Sequence, residues 1–171
     1  ASKVGEVWRI KSGRSIYASA TCWKDRVFVG DVTGLMTAYD KATGKECWHF
    51  QADKKIVGTP AVVSGTLVFG STGDRIYGLD ARTGRELWQI KTDLPIMGAV
   101  ASDGKTAYIG GSDHKMHAID ARTGKERWTF DGVKGYIVTR PLLTQGMVVF
   151  GAWDSKLYAL NQQDGSLLWT W

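Results

Sequence analysis

The sequence predicts an all-β fold, a β-propeller of four-stranded antiparallel blades, with four blades and one extra outer strand. Five of the eight tryptophans recur at steps of 40, 40, 40 and 41 residues, and these are Trp8, Trp48, Trp88, Trp128 and Trp169. A repeat of about 40 residues is typical of four-stranded units stacked around an axis. Apolar residues at helical spacing do not persist for three turns anywhere, so we expect no helix.

The second repeat shows the four predicted strands most clearly. They are TPAVV (59–63), TLVFGS (66–71), RIYGLDA (75–81) and ELWQIK (86–91), separated by residues that favour turns. We therefore predict a single propeller domain over residues 1–171. Its extra strand lies at about 5–11, and its blades lie at about 17–51, 57–91, 97–131 and 138–171.

A turn motif precedes the recurring tryptophan and is expected to receive the tryptophan of the neighbouring blade. Asp at the start of such a turn accepts backbone N–H bonds, and Gly supplies a positive φ angle. A blade has two apolar faces that only its neighbours can cover, so we expect each indole ring to pack on the next turn. Besides the five tryptophans, the predicted docking residues are Asp40, Asp80, Asp120, Gly44, Gly84, Gly124 and Gly165.

Composition excludes several classes of protein. The chain has 171 residues, of which 43% are hydrophobic and 23% charged, and a net charge of +5. No apolar run approaches the roughly 18 residues that a membrane helix needs, so we predict no membrane insertion. The opening segment ASKVGEVW has neither Met nor an apolar signal sequence, so this end indicates no compartment.

The docking pattern resembles the tryptophan-docking motif of pyrroloquinoline-quinone-type, or quinoprotein-like, propellers. It consists of Ala or Gly, Asp two residues later, Thr-Gly, and Trp four residues after the Gly, as in AYDKATGKECW, GLDARTGRELW and AIDARTGKERW. A fourth copy, ALNQQDGSLLW, is degenerate. WD repeats have a similar period, but here the Trp-Asp dipeptide occurs once and outside the repeated position. Kelch repeats are nearer 50 residues.

The resemblance implies more than one function, because fold alone does not determine function. Such propellers include quinone-dependent alcohol dehydrogenases, an outer-membrane assembly lipoprotein and sensor domains of kinases. The dehydrogenases resemble one another in an adjacent cysteine pair that contacts the quinone (PQQ), and in bound calcium. Here Cys22 and Cys47 are 25 residues apart, which makes quinone-dependent oxidation the less favoured alternative.

The strand count leaves the assembly open. Four blades account for most of the chain, and the segment around Trp8 aligns with a fourth strand whose other three strands are lacking. The chain is therefore a piece of a longer propeller, or two copies complete one ring of eight blades. An exposed blade face favours association, so we expect a closed four-blade ring or a dimer rather than an isolated arc.

Five residues are candidate ligand or interface residues, because they depart from the repeat or lie at the funnel mouth. Arg140 interrupts a column of small residues, where it would bind an anion or pair with a nearby Asp. The others are Trp153, Trp23, Lys54 and Lys55. Trp153 and Trp23 are loop aromatics that serve either as interface anchors or as lids on their own blades. Trp171, which shares a column with Phe50 and Phe130, is expected in the core.

Catalytic and metal-binding patterns are weak. His49 and His117 fall at ordinary strand positions, and His114-x-x-His117 has no third ligand close in sequence. Basic and aromatic residues do not alternate as a nucleic-acid platform requires. We therefore predict no catalytic residue, no metal, no cofactor and no nucleic acid. The expected function is a non-catalytic scaffold or sensor that binds a protein or small ligand through loops and blade edges. By family analogy it would lie outside the bacterial cytoplasm, in the periplasm or secreted.

Overall fold

The computed structural model describes residues 5–171, which form sixteen short β-strands and no helix. Each strand is a run of two to six residues between turns, as the spacing of Gly, Asp and Ser predicts. The strands are β1 (Thr21–Trp23), β2 (Arg26–Gly30), β3 (Leu35–Asp40), β4 (Glu46–Gln51), β5 (Ala61–Val63), β6 (Thr66–Ser71), β7 (Arg75–Asp80), β8 (Glu86–Lys91), β9 (Ala101–Ser102), β10 (Thr106–Gly110), β11 (Met116–Asp120), β12 (Glu126–Phe130), β13 (Leu142–Thr144), β14 (Met147–Gly151), β15 (Leu157–Asn161) and β16 (Leu167–Thr170).

Consecutive groups of four strands form four antiparallel sheets, which we call blades 1 to 4. Blade 1 contains β1–β4, blade 2 contains β5–β8, blade 3 contains β9–β12 and blade 4 contains β13–β16. Every strand pairs only with its neighbours in sequence, so each blade is a simple meander. The all-β propeller fold predicted from the 40-residue period is confirmed.

Each blade has the same irregularity between its third and fourth strands. In blade 2 the register shifts between Gly78 and Leu79, and Trp88 stands directly opposite Gly78. The residue opposite the docking tryptophan is Ala or Gly in all four blades. A Cβ at Gly78 would lie 2.6 Å from Trp88 Cδ2, so a small residue leaves room for the indole ring.

Three hydrophobic cores join the blades, and each lies between consecutive blades. The first contains Phe28 of blade 1 with Phe69 of blade 2, and the second contains Ile76 of blade 2 with Ile109 of blade 3. The third contains Tyr108 of blade 3 with Phe150 of blade 4. Over residues 5–171 no core joins blade 4 to blade 1, so the blades form an open arc. The alternative of a closed four-blade ring is therefore wrong.

The N-terminal segment differs from the sequence prediction. Residues 5–20 contain no strand, although an extra outer strand was predicted at about 5–11. A strand needs a neighbour to accept its backbone hydrogen bonds. The three strands that would complete its sheet do not occur among the described residues, so no ladder forms. The segment still packs on blade 1 through the Trp8 side chain.

Candidate functional site

The contact that joins neighbouring blades is a hydrogen bond from an indole to a turn carbonyl. Trp88 Nε1 donates to Ala121 O at 2.9 Å. Trp48 and Trp128 make the equivalent bonds to Ala81 O at 3.3 Å and Gln162 O at 3.1 Å. Each indole therefore binds the turn of the following blade.

The receiving turn is built by its aspartate and glycine. Asp40 Oδ1 accepts hydrogen bonds from Thr43 Oγ1 at 2.7 Å and Thr43 N at 2.8 Å. These bonds lower the pKa of Asp40, so its carboxylate stays ionised. Gly44 has a φ of 69° and lies against the Trp8 ring, where a Cβ would come within 2.8 Å of Cδ2. Glycine is thus required both by backbone conformation and by the indole.

The same turn recurs in the other blades with one change of chemistry. The side chains of Asp80 and Asp120 accept bonds from Thr83 and Thr123. In blade 4 Asn161 Oδ1 accepts from Gln163 N at 2.8 Å, and Gly165 lies under the Trp128 ring. The degenerate fourth motif therefore forms a turn that still receives an indole.

A second contact between blades fits an isoleucine onto a glycine. Ile56, which precedes blade 2, packs on Gly30 of blade 1, where a Cβ would lie 2.5 Å from Ile56 Cγ2. The same relation joins Ile96 to Gly70 and Ile137 to Gly110. These three isoleucines are fully buried. Each blade junction therefore has an indole bond at its outer edge and an isoleucine–glycine contact nearer the axis.

The face of blade 4 that is turned away from blade 3, which carries Leu157, Trp169 and Trp171 and which we call its outer face, lacks both contacts. Trp169 is 41% exposed, and no carbonyl of the described residues accepts a bond from its indole. Nothing lies within 4 Å of a Cβ built on Gly151. Trp171 is 90% exposed, so its expected place in the core is wrong. Its counterparts Phe50 and Phe130 are covered by a following blade, and Trp171 is not.

The opposite end of the arc is partly covered by the N-terminal segment. Trp8 Nε1 donates to Lys41 O at 2.9 Å, so the turn of blade 1 is occupied. A cavity of about 140 Å³ remains between this segment and blade 1, lined by residues that include Ile10, Val29 and Tyr39. Ile16 lines the same cavity and is 46% exposed, whereas its counterparts are buried.

Arg140 lies at the inner edge of the arc, at a cavity of about 550 Å³. Ser19, Thr59 and Ser102 also line this cavity, so three blades and the entry to blade 4 contribute. The intramolecular alternative, a pair with a nearby Asp, is absent, because Arg140 has no carboxylate within 4 Å in the described part of the chain. Lys54 and Lys55 are exposed on the connector into blade 2, where the Lys54 backbone N–H donates to Asp53 Oδ1 and the Lys55 carbonyl accepts from Thr72 N.

The two loop tryptophans have different environments. Trp153 is 66% exposed and stacks obliquely on Tyr136, with ring centroids 5.4 Å apart, and Tyr136 in turn contacts His114. Trp23 is half-buried against the core between blades 1 and 2 and has Lys24 Nζ 4.5 Å from its ring centroid. Trp23 therefore covers its own blade, while Trp153 presents a free indole face.

His117 is a residue whose environment the sequence did not predict. Its ring is buried, with Nε2 2.8 Å from Asp113 Oδ2 and Nδ1 2.7 Å from Glu126 Oε1. Burial disfavours the imidazolium, but the hydrogen bonds to the two carboxylates outweigh it and raise the pKa of His117 to about 9. Both ring nitrogens are thus engaged. The counterparts Tyr77 and Tyr158 also form hydrogen bonds to polar groups through their hydroxyls. The aligned position therefore carries a hydrogen-bonding side chain in blades 2, 3 and 4.

Residues that a quinone or metal ion would use are not brought together. Cys22 lies on the innermost strand of blade 1 and Cys47 on its outermost strand, and both are exposed free thiols. Between residues 5 and 171 no three His, Cys, Asp or Glu side chains form a group that could hold a metal ion. The same residues contain no helix suited to crossing a bilayer.

Comparison with known proteins identifies the family. A family model described as Outer membrane protein assembly factor BamB matches residues 4–128 and again residues 72–170. The chain belongs to this family. The resemblance to pyrroloquinoline-quinone-type propellers, inferred from the tryptophan-docking motif, is confirmed by this match.

The curated relatives of this chain include quinohemoprotein alcohol dehydrogenases. A quinohemoprotein alcohol dehydrogenase of Comamonas testosteroni is 42% identical over 57 residues, which are 30% of this chain and 8% of the dehydrogenase. The chain therefore spans less than a tenth of that curated relative.

Solved structures agree on the fold. BamB from Moraxella catarrhalis matches with a TM-score of 0.70 at 20% identity, covering 96% of this chain and 64% of that one. The computationally designed Ika4 protein matches with a TM-score of 0.81 at 19% identity, covering 92% of this chain and 98% of that one. At these identities the likeness shows the fold alone.

Proposed function

We propose that this chain is a non-catalytic propeller scaffold that binds a protein partner through the outer face of blade 4. One observation carries the proposal: Trp169 is the docking indole of blade 4, and unlike the others it has no turn to bind within the described residues. Leu157 and Trp171 extend the same face and are also exposed. Contiguous exposed apolar side chains are typical of interaction sites.

The surface chemistry fits a partner that carries a turn carbonyl and a small residue. An indole N–H needs a hydrogen-bond acceptor when its ring is buried, because removing a donor from water without a partner costs free energy. The other docking tryptophans find this acceptor beside a glycine. A partner of blade 4 would therefore supply a similar concave turn.

Sedimentation velocity of the purified chain tests this proposal. We expect reversible association that weakens in Leu157→Lys, since a lysine at the centre of the face would be desolvated without a partner. Leu87→Lys is the matched control, because Leu87 has a similar exposure of 39% but lies on blade 2, inside the arc. Association that is equally sensitive to both substitutions would contradict a binding role for this face, whereas a chain that does not self-associate would exclude a second copy as its partner.

A small ligand at the inner cavity is a second component of the proposal. The Arg140 guanidinium has no carboxylate partner in the described structure and borders a cavity with several hydroxyls. Such a group binds carboxylates through paired N–H donors. Titration calorimetry with citrate, comparing the wild type with Arg140→Ala, tests this. Equal heats in the two proteins would remove Arg140 as a ligand contact.

The rival function is part of a quinone-dependent alcohol dehydrogenase, and the match to the Comamonas testosteroni enzyme favours it. The positions of Cys22 and Cys47 do not supply the paired thiols expected from that resemblance. An absorbance titration with pyrroloquinoline quinone and calcium distinguishes the two functions. Saturable binding would support the rival, and no spectral change would support the scaffold.

We place the scaffold outside the bacterial cytoplasm. Family membership supports this location, and cell fractionation tests it.

A further inference from the structure

The two ends of the arc carry complementary halves of one blade junction. At each internal junction, an isoleucine ahead of one blade packs on a glycine of the preceding blade. Ile16, ahead of blade 1, has no such glycine and stays 46% exposed. Gly151, in blade 4, has no such isoleucine and has open space around it. The unmatched isoleucine and the unmatched glycine lie on the same chain, at opposite ends.

The two halves of the indole–turn contact also lie at opposite ends of the arc, with one difference. Blade 4 presents Trp169 without a turn, and blade 1 presents a formed turn at Lys41 and Gly44. That turn is filled by Trp8 from the N-terminal segment. Only one indole fits over Gly44, because the Trp8 ring already packs so closely that a Cβ built on Gly44 would lie 2.8 Å from its Cδ2 atom. Trp8 and an indole from another blade would therefore exclude each other.

The N-terminal segment covers blade 1 less completely than a whole blade would. It supplies Trp8 and Ile10, which correspond to Trp48 and Phe50 of an internal junction. It supplies no counterpart of the inner side chains Phe28 and Met36, and the cavity of about 140 Å³ lies beside it. Blade 4 carries these counterparts, Val149 and Leu157, in addition to Trp169 and Trp171. Blade 4 thus matches the blade 1 face more fully than the segment that covers it.

We infer that the outer face of blade 4 binds blade 1 of a second copy of this chain, and that the N-terminal segment competes with it by holding the blade 1 turn through Trp8. This inference rests on the proposed function, since it uses the same face of blade 4 and names its partner. The contact is head-to-tail, with Ile16 of one copy on Gly151 of the other. Two such contacts join two copies into one closed ring of eight blades.

Three variants test the inference by sedimentation velocity over a range of concentrations. Trp8→Ala frees the blade 1 turn, and we expect dimerisation about tenfold tighter or more, because a competing occupant lowers the fraction of binding-competent sites. Gly151→Val fills the space for Ile16, and we expect affinity at least about tenfold weaker. Ile16→Lys should have the same effect from the other side. Unfolding curves confirm that each variant is folded, and all three changed sites lie at the two ends of the arc.

Mixing two variants separates this inference from the broader proposal. Gly151→Val and Ile16→Lys each lose a different half of the contact, so each alone should associate at least about tenfold more weakly than the wild type. A mixture keeps one intact junction and should form a one-to-one complex. If Ile16→Lys dimerises like the wild type while Leu157→Lys does not, blade 4 binds protein but not blade 1, which overturns the inference alone. Failure of Trp8→Ala to tighten association overturns the competition. If neither variant nor wild type associates, the second copy is not the partner.

Discussion

The internal junctions and the two ends of the arc are built from the same repeat, yet they differ in what completes them. Between blades 2 and 3, Trp88 binds Ala121 O and Ile96 packs on Gly70, so both contacts are made. At the blade 1 end, Trp8 of the N-terminal segment makes the indole–turn contact, and a cavity remains beside that segment. At the blade 4 end neither contact is made within the described chain.

This difference shows that each junction between blades consists of two separable contacts. The indole–turn contact needs only a short segment, since Trp8 makes it without belonging to a strand. The isoleucine–glycine contact and the inner core need a complete blade. An end face can therefore be partly satisfied by a segment and still remain able to bind a blade.

The largest expected effect is the contrast between Trp88→Ala and Trp169→Ala. Trp88 packs on the core between blades 2 and 3 and binds a carbonyl, so its loss should lower the free energy of unfolding by about 3 kcal/mol. Trp169→Ala should cost less than about 1 kcal/mol in the monomer, because no following blade covers its ring. Urea unfolding followed by circular dichroism measures both. Equal losses would mean that the end face is not open.

Replacing His117 should have the next largest effect on the free energy of unfolding, and this effect depends on pH. The counterpart of His117 in blade 1 is Thr37, and its partners Asp113 and Glu126 lie with it in blade 3, so this charged pairing lies within one blade. Because the folded pKa of about 9 lies above the unfolded value of 6.5, the stabilisation is complete below pH 6.5 and disappears as the pH rises towards 9. The stability advantage over His117→Gln should therefore fall by roughly 2–3 kcal/mol across that window.

Urea unfolding of both proteins at pH 6, 7.5 and 9 checks this expectation. His49→Gln serves as the control, since His49 is exposed on blade 1 and pairs with one carboxylate only. A constant difference between wild type and His117→Gln over the whole range would show that His117 is not held as an imidazolium.

A smaller effect separates backbone strain from indole packing. Gly84 and Gly65 both have positive φ angles, 76° and 83°, but only Gly84 lies under an indole, that of Trp48. Alanine at Gly65 should cost about 1 kcal/mol, the conformational penalty alone. Alanine at Gly84 should cost about 1–3 kcal/mol more, because the Trp48 ring must move. Thermal unfolding of the two variants compares them directly; similar midpoints would mean that the turn does not hold the ring tightly.

Sequence reasoning predicted the parts that repeat and missed those that depend on neighbours. The 40-residue period and the Asp-x-x-Gly turns follow from strand pairing and backbone conformation, which are local properties. Trp171 was expected in the core because its column is apolar, but burial there requires a following blade. The strand at 5–11 failed for the same reason. His117 was missed because Asp113 and Glu126 approach it only through the hairpin and the register of β11 with β12.

Trp153→Ala should have the smallest effect on stability. The ring is mostly exposed and its partner Tyr136 is itself at the surface, so we expect a change within about 0.5 kcal/mol. Thermal unfolding measures it. A loss comparable to that of Trp88→Ala would show that the loop aromatics are structural and would leave Trp153 without an interface role.

Hydrogen exchange of the indole N–H groups tests the central claim most directly. In ¹⁵N-labelled protein, at a concentration where the chain is monomeric, the indoles of Trp8, Trp48, Trp88 and Trp128 should exchange slowly because each is bonded to a carbonyl. Those of Trp169 and Trp171 should exchange as fast as an unprotected indole. Slow exchange at Trp169 in the monomer, or fast exchange at Trp88, would contradict an open arc of docked blades.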